Sequence, residues 1–338
     1  MSPAARAHHR AAWLATGLLA LALLLLAAGV GVGSTGLQSI WRALDDATAR
    51  QIVLDIRLPR TLGAWLAGAL LGLAGAVAQG LFRNPLADPF LLGSASGAAL
   101  GVALALVLFG FSPLAASWLS ALGLTGAAFF GSMAAVLLTL ALARGVQHTL
   151  RLLLSGVIVG VVLGAIGSLV TLLAPETMPA MQAFMLGSTG FVGWPACGLM
   201  AAAFVACLAV AWTLSPVLDG LTLGEATARS LGLPLAPLRM ALVGVLALAT
   251  GAAVAQTGLI AFVGLAAPHL VRSAVKTTHG RLMVLSALTG GALLLAADIL
   301  ARAGIAPQEL PVGVLTAVLG GGYLLWLMHR GRGQRGVA

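Results

Sequence analysis

The sequence predicts an all-α membrane protein, a bundle of about ten transmembrane helices forming one domain over residues 1–338. Three observations carry this. Apolar residues make up 60% of the chain and charged residues only 8%, about a third of the charged share of a soluble domain. The apolar runs are continuous and lack the alternation of barrel strands, so the backbone polar groups must be satisfied within helices. Glycine is abundant, with 44 residues, and alanine dominates many of the runs; such small side chains let helix backbones approach closely in lipid.

A crossing helix needs about 20 apolar residues. The first run, near 12–33, follows Arg6, His8, His9 and Arg10. It exceeds the ~7–15-residue core of a secretory signal, so it is expected to remain as the first span. Further spans are expected near 60–81, 90–109, 115–142, 150–173, 195–214, 237–255, 259–274, 282–303 and 311–328. The eighth is short, and Gln256-Thr257-Gly258 before it reads either as a tight turn or as an unwound segment. Between the fifth and sixth, PETMPAMQAFMLGSTGFVGW is too interrupted to cross. Its residues 178–187 read as a short helix lying at the outer surface.

Charge sets the orientation. With the N-terminus in the cytoplasm, 13 of the 18 lysines and arginines fall on the cytoplasmic side; the other 5 (Arg42, Arg50, Arg57, Arg60 and Arg302) fall outside. This is the positive-inside asymmetry. Both termini are basic and therefore cytoplasmic, which requires an even number of spans, and ten satisfies it. The net charge of +9 is thus accounted for by membrane topology and calls for no nucleic-acid partner. Asp45, Asp46, Asp55, Glu176 and Glu309 collect on the outer side. Cys197 and Cys207 lack the spacing of a metal site or a redox pair and read as small buried residues.

One polar island interrupts the apolar sequence, LTLGEATARSLGLPLAPLR at 221–239. It falls between spans six and seven, on the cytoplasmic side. Thr222-Leu223-Gly224-Glu225 fits a capping box, Gly232 fits a left-handed stop and Pro234 bars continuation. The expected helix, about 222–232, is about nine residues long and spans nothing. Glu225 and Arg229 are spaced to pair at i,i+4. Two readings stand: an ordinary interfacial loop helix, or a peg for a cytoplasmic partner.

Catalytic signatures are missing. The single lysine, Lys276, follows Val275 where a phosphate-binding loop needs glycine. Gly93-Ser94-Ala95-Ser96-Gly97 places alanine where a nucleophile elbow needs serine, and reads as helix packing. His269 reads as a headgroup-level anchor. Asp298, the acidic residue within a span, sits four residues before Arg302, which suits a structural ion pair near the outer end better than a proton relay. No catalytic residue and no metal ligand is assigned.

The chain resembles the permease subunits of type II ABC importers, the family that carries ferric siderophores, haem and cobalamin. The resemblance covers nearly the whole chain. It rests on Arg57-Leu58-Pro59-Arg60-Thr61-Leu62, on Gln79-Gly80-Leu81-Phe82-Arg83-Asn84-Pro85-Leu86-Ala87-Asp88-Pro89, and on Gly258-Leu259-Ile260-Ala261-Phe262-Val263-Gly264-Leu265 with Pro268-His269 and Arg272. Ala297-Asp298, Ala301-Arg302 and Glu309-Leu310-Pro311-Val312-Gly313 complete it. One departure is Gly320-Gly321-Gly322-Tyr323, where the family commonly has Gly-Ala-Pro.

The resemblance implies a coupling helix seated on a separate ATPase, with Leu223, Gly224, Glu225, Ala228, Arg229, Leu231 and Gly232 at the matching positions. It implies Arg57, Arg60 and Arg302 as docking residues for a substrate-binding protein; without it, Arg57 and Arg60 read equally as lipid-phosphate anchors. It further implies a homodimer with two ATPase subunits and one binding protein in the bacterial inner membrane. ATP and Mg would sit on the ATPase, and no cofactor on this chain. A translocation path is expected along Ser155, Gly156, Gly160, Gly164 and Ser168. The cargo implied is a bulky chelate, ferric siderophore or haem first and cobalamin as the alternative. An ATP-independent carrier is the rival from another class.

Overall fold

A computed structural model describes residues 3–33, 36–37, 46–109, 118–143, 149–230, 232 and 234–333. Expectations placed on Arg42, Asp45, Leu231 and the cytoplasmic Arg144 and Arg335, and on the side chain of Arg229, lie outside the described residues. The helices are α1 (Pro3–Gly31), α2 (Ala47–Ile52), α3 (Leu58–Leu81), α4 (Ser94–Phe109), α5 (Trp118–Leu142), α6 (Thr149–Leu173) and α7 (Met178–Leu186). After them come α8 (Trp194–Thr213), α9 (Ser215–Thr222), α10 (Glu225–Ser230), α11 (Leu235–Thr257), α12 (Val263–Ala274), α13 (His279–Ala303) and α14 (Val312–Gly333). A two-residue antiparallel pair, Val32–Gly33 with Gly36–Leu37, follows α1.

Among the described residues, seven helical stretches are long and apolar enough to cross a membrane, and α4 and the apolar part of α14 are shorter. With α12 they make the ten expected crossings. Pro179, Pro195 and Pro216 each stand in the first turn of a helix, where a missing N–H removes no intrahelical bond. Asp46 caps α2, its carboxylate accepting from Thr48 N at 2.9 Å. A π-helical turn, Val53–Arg57, joins α2 to α3 without a break.

Helix α3 is the axis of the bundle, buried over most of its length. Its neighbours approach it through glycine. A Cβ at Gly68 would overlap the Gly290 carbonyl of α13, one at Gly72 the Ser286 carbonyl, and one at Gly75 the Gly264 carbonyl of α12. Lipid supplies no hydrophobic drive between such helices, so close backbone contact is what holds them. Gly75→Leu is therefore expected to separate α3 from α12 and to cost at least the ~1–3 kcal/mol of an overpacked core. A melt of the solubilised protein that matches wild type would refute this. Gly97 and Gly101 of α4 pack in the same way on Gly131 and Ala127 of α5.

The eighth crossing is resolved as the unwound alternative. Helix α12 has 12 residues, roughly 18 Å at 1.5 Å per residue. The five residues 258–262 before it are non-helical and add up to about 16 Å when extended. This stretch is enclosed by protein, as non-helical backbone at membrane depth must be: Ile260 is buried, and Leu259 N donates to Phe184 O of α7 at 3.1 Å. The triple glycine at 320–322 does not break α14. A Cβ at Gly320 would overlap the Phe262 side chain, whereas one at Gly322 would meet open space.

Candidate functional site

Two polar clusters stand at opposite ends of α3. At its start, Asp298 of α13 is fully buried and is shared by three donors. Arg60 donates to its Oδ1 from Nε at 3.2 Å and Nη2 at 3.1 Å. The Thr189 hydroxyl donates to the same oxygen at 2.5 Å, and Arg302 Nη2 to Oδ2. Arg60 also pairs with Glu309, Nη2 to Oε2 at 2.9 Å. Two guanidiniums thus face two carboxylates in a charge-balanced group, the condition for placing ions away from water.

The expected i,i+4 pair of Asp298 and Arg302 is present. The expected docking arginines are placed differently from one another. Arg302 is 1% exposed and its Nη1 donates to Gly29 O at 2.9 Å and Val32 O at 3.1 Å. Arg57 is 7% exposed and reaches Val30 O and Gly31 O, each at 3.4 Å. Both are drawn onto carbonyls of the last turn of α1, which have no partner within the helix and attract cations, and Arg302 also reaches Val32 just beyond it. In this conformation Arg302 and Arg57 secure α1 and turn little surface outward. The Arg60 side chain keeps an 11% exposed edge.

At the other end of α3 the helix expected at about 222–232 is the shorter α10, Glu225–Ser230, and a second short helix, α9, leads into the island from 215 to 222. Thr222 ends α9, its hydroxyl donating to Asp219 O at 2.6 Å, so it forms no capping box with Glu225. Gly224 at φ +101° makes the break, a left-handed turn open to glycine. Gly232, at φ +79°, makes the expected left-handed stop. The helix between is six residues long and opens with Ala228 N donating to Gly224 O at 3.0 Å. Ala228 is buried and Leu223 points outward.

Glu225 turns back toward its own chain. Its Oε1 accepts from Arg239 Nη2 of α11 at 2.6 Å and lies 3.8 Å from Arg83 Nη2, just beyond α3. Asp219 of α9 accepts from both the backbone N (3.0 Å) and ring Nδ1 (2.7 Å) of His279, the first residue of α13. Arg272 of α12 donates to Gln79 of α3, and Gln79 Nε2 to Leu265 O at 3.2 Å. The island is thereby fastened to the helices that carry the arginine cluster at their far ends.

The stripe expected to line a path is placed in a packing seam. A Cβ at Gly156 would overlap the Leu91 carbonyl, Gly160 faces Gly93, and Gly164 faces Ser96. Ser155 is buried. Ser168 is exposed and donates to Gly164 O at 3.0 Å. It lies on the opposite, uncovered face of α6 with Leu154, Val161 and Leu172.

Comparison with known proteins agrees with this architecture. The model of the FecCD transport family matches residues 18–330. The chain belongs to the FecCD transport family. This family member is 38% identical over 325 residues to the hemin transport system permease protein HmuU of Yersinia pestis, covering 94% of the chain and 96% of the relative. It is 41% identical over 315 residues to the vitamin B12 import system permease protein BtuC of Salmonella paratyphi A, covering 92% and 94%. A solved metal-chelate type ABC transporter in an inward-facing conformation superposes with a TM-score of 0.83 at 30% identity, covering 94% of this chain and 98% of that one.

Several residues of the two clusters escaped sequence reasoning. Thr189 and Arg239 carry at most a topological charge there, and Arg83 and Glu309 are motif residues among many. Their partners lie up to 249 positions away, and no local pattern announces such a pairing. Among the described residues no group of three or more His, Cys, Asp or Glu is placed to hold a metal.

Proposed function

We propose that this chain is the permease subunit of an ATP-driven importer of a bulky metal chelate. The observation that carries the reading is the pair of short helices α9 and α10, fastened through Asp219 and Glu225 to α13 and α11. They stand on a chain whose lone lysine lacks a phosphate-binding loop. A firmly held helix at the basic, cytoplasmic side suits transmission of force from a separate ATPase that binds ATP and Mg. Leu223, exposed at 64%, and Arg229 would meet that subunit. Arg60 at the other end would meet a carboxylate of a substrate-binding protein.

Both termini then lie in the cytoplasm of a bacterium, and the chain crosses its inner membrane. A second copy completes the pathway along the uncovered face of α6, where Ser168 stands beside Leu154 and Val161. Alternating access follows from rocking of the two copies as the coupling helices move. Haem or a ferric siderophore is the cargo of first choice. Cobalamin is the second reading, because the vitamin B12 relative is 41% identical and the hemin relative 38%.

The test is reconstitution in proteoliposomes with the candidate ATPase and binding protein. ATP-dependent uptake of haem, a ferric siderophore or cobalamin, with ATP hydrolysis stimulated by the binding protein, is the expected result. Uptake by the permease alone, with no ATPase bound, would replace the reading with an ATP-independent carrier.

A further inference from the structure

We propose that Glu309 is an internal stand-in for the partner carboxylate, occupying Arg60 until a binding protein displaces it. The proposal rests on the docking reading of Arg60 given above.

The geometry is that of a two-sided guanidinium. One edge of Arg60, Nε with Nη2, is committed to Asp298, which is fully buried. The other edge, Nη1 with Nη2, is taken by Glu309: Nη1 to Oε1 at 3.0 Å and Nη2 to Oε2 at 2.9 Å. Two parallel N–H donors meeting two carboxylate oxygens is the arrangement by which arginine recognises any carboxylate. The edge that an incoming acidic side chain needs is therefore filled by an acidic side chain of the same chain.

The two carboxylates differ in how firmly they are held. Asp298 also accepts from Arg302 and Thr189, and it stays in place when Glu309 leaves. The Glu309 side chain is 31% exposed. It sits in the turn between α13 and α14, which is braced by Leu310 N to Ala301 O at 3.0 Å and the Ile305–Gln308 bridge. Exchange swaps one carboxylate for another on a guanidinium that stays paired throughout, and the displaced Glu309, already 31% exposed, turns to water. It also frees the turn that leads directly into α14. Occupation of Arg60 from outside would thus be felt at the start of that helix.

The test measures affinity. The permease–ATPase complex in nanodiscs is titrated with the binding protein that stimulates its ATP hydrolysis. Glu309→Gln removes the competing charge and is expected to tighten binding roughly two- to fivefold, the scale of a partly exposed ion pair. Glu309→Asp, which keeps the charge, should return affinity toward wild type. Arg60→Gln should weaken binding, and adding Glu309→Gln to it should bring no gain. General damage to the fold would lower affinity, so a gain that depends on Arg60 separates exchange from a structural role. If Arg60→Gln weakens binding but Glu309→Gln leaves it unchanged or weaker, exchange is overturned and docking on Arg60 stands. If Arg60→Gln binds as wild type, the docking reading falls and this proposal falls with it.

Discussion

Asp298→Ala is expected to destabilise the protein by about 3–5 kcal/mol, the scale of breaking a buried ion pair from one side. The reason is that Asp298 is fully buried and neutralises two guanidiniums at once. Its removal leaves Arg302, itself enclosed, facing only carbonyls and the Thr61 hydroxyl. Arg60 loses one of its two partners and keeps Glu309. Unfolding can be followed with a thiol-reactive dye, because Cys197 and Cys207 are both free and buried. The double change Asp298→Leu/Arg302→Leu removes one charge of each sign and leaves the Arg60–Glu309 pair intact. It should melt above the single Asp298→Ala variant, since an apolar pair avoids the uncompensated charge. Wild-type melting of Asp298→Ala would show that the cluster contributes nothing to the fold.

Reversal of the Glu225–Arg239 contact is the second large effect expected. Arg239 is 3% exposed, and it holds Glu225 at 2.6 Å. Glu225→Arg places two guanidiniums against each other and should reduce ATP-driven uptake at least tenfold, with the complex still assembled but its ATP hydrolysis no longer stimulated by the binding protein. Arg239→Glu should do the same. The double swap restores attraction and is expected to recover a substantial part of the uptake, as contacting residues do when coupled in one pair. A swap as inactive as either single variant, with normal assembly, would mean that Glu225 acts through the ATPase surface and not through Arg239. ATP hydrolysed per cargo moved is the discriminating quantity, because a structural defect lowers both together.

The crossings were legible because each is a local property. Twenty apolar residues make a span whatever lies beside them, and the charge asymmetry is a count that needs no knowledge of packing. Gly232 as a helix stop and Asp298 with Arg302 as a pair were legible for the same reason: both features lie within one turn or two. Thr222 shows where local signals compete. A threonine three residues before a glutamate fits a capping box, yet Gly224 broke the chain between them and the hydroxyl turned back to Asp219. The stripe of Gly156, Gly160 and Gly164 shows a second ambiguity. Small residues at that spacing serve a path and a packing seam equally, and only the position of α4 decides between them.

What the sequence alone determined was the membrane, the number and order of crossings, the basic side and the absence of a phosphate-binding loop. Each of these is a sum over neighbouring residues. Tertiary structure alone decided which arginines are covered, which carboxylate they share, and that the eighth crossing opens with an unwound segment. In lipid the helices are apolar all round, so they carry no stripe in sequence to say which face meets which neighbour. Arg60 and Asp298 are 238 positions apart, and they meet because the glycines of α3 let α13 come close enough to bring them together.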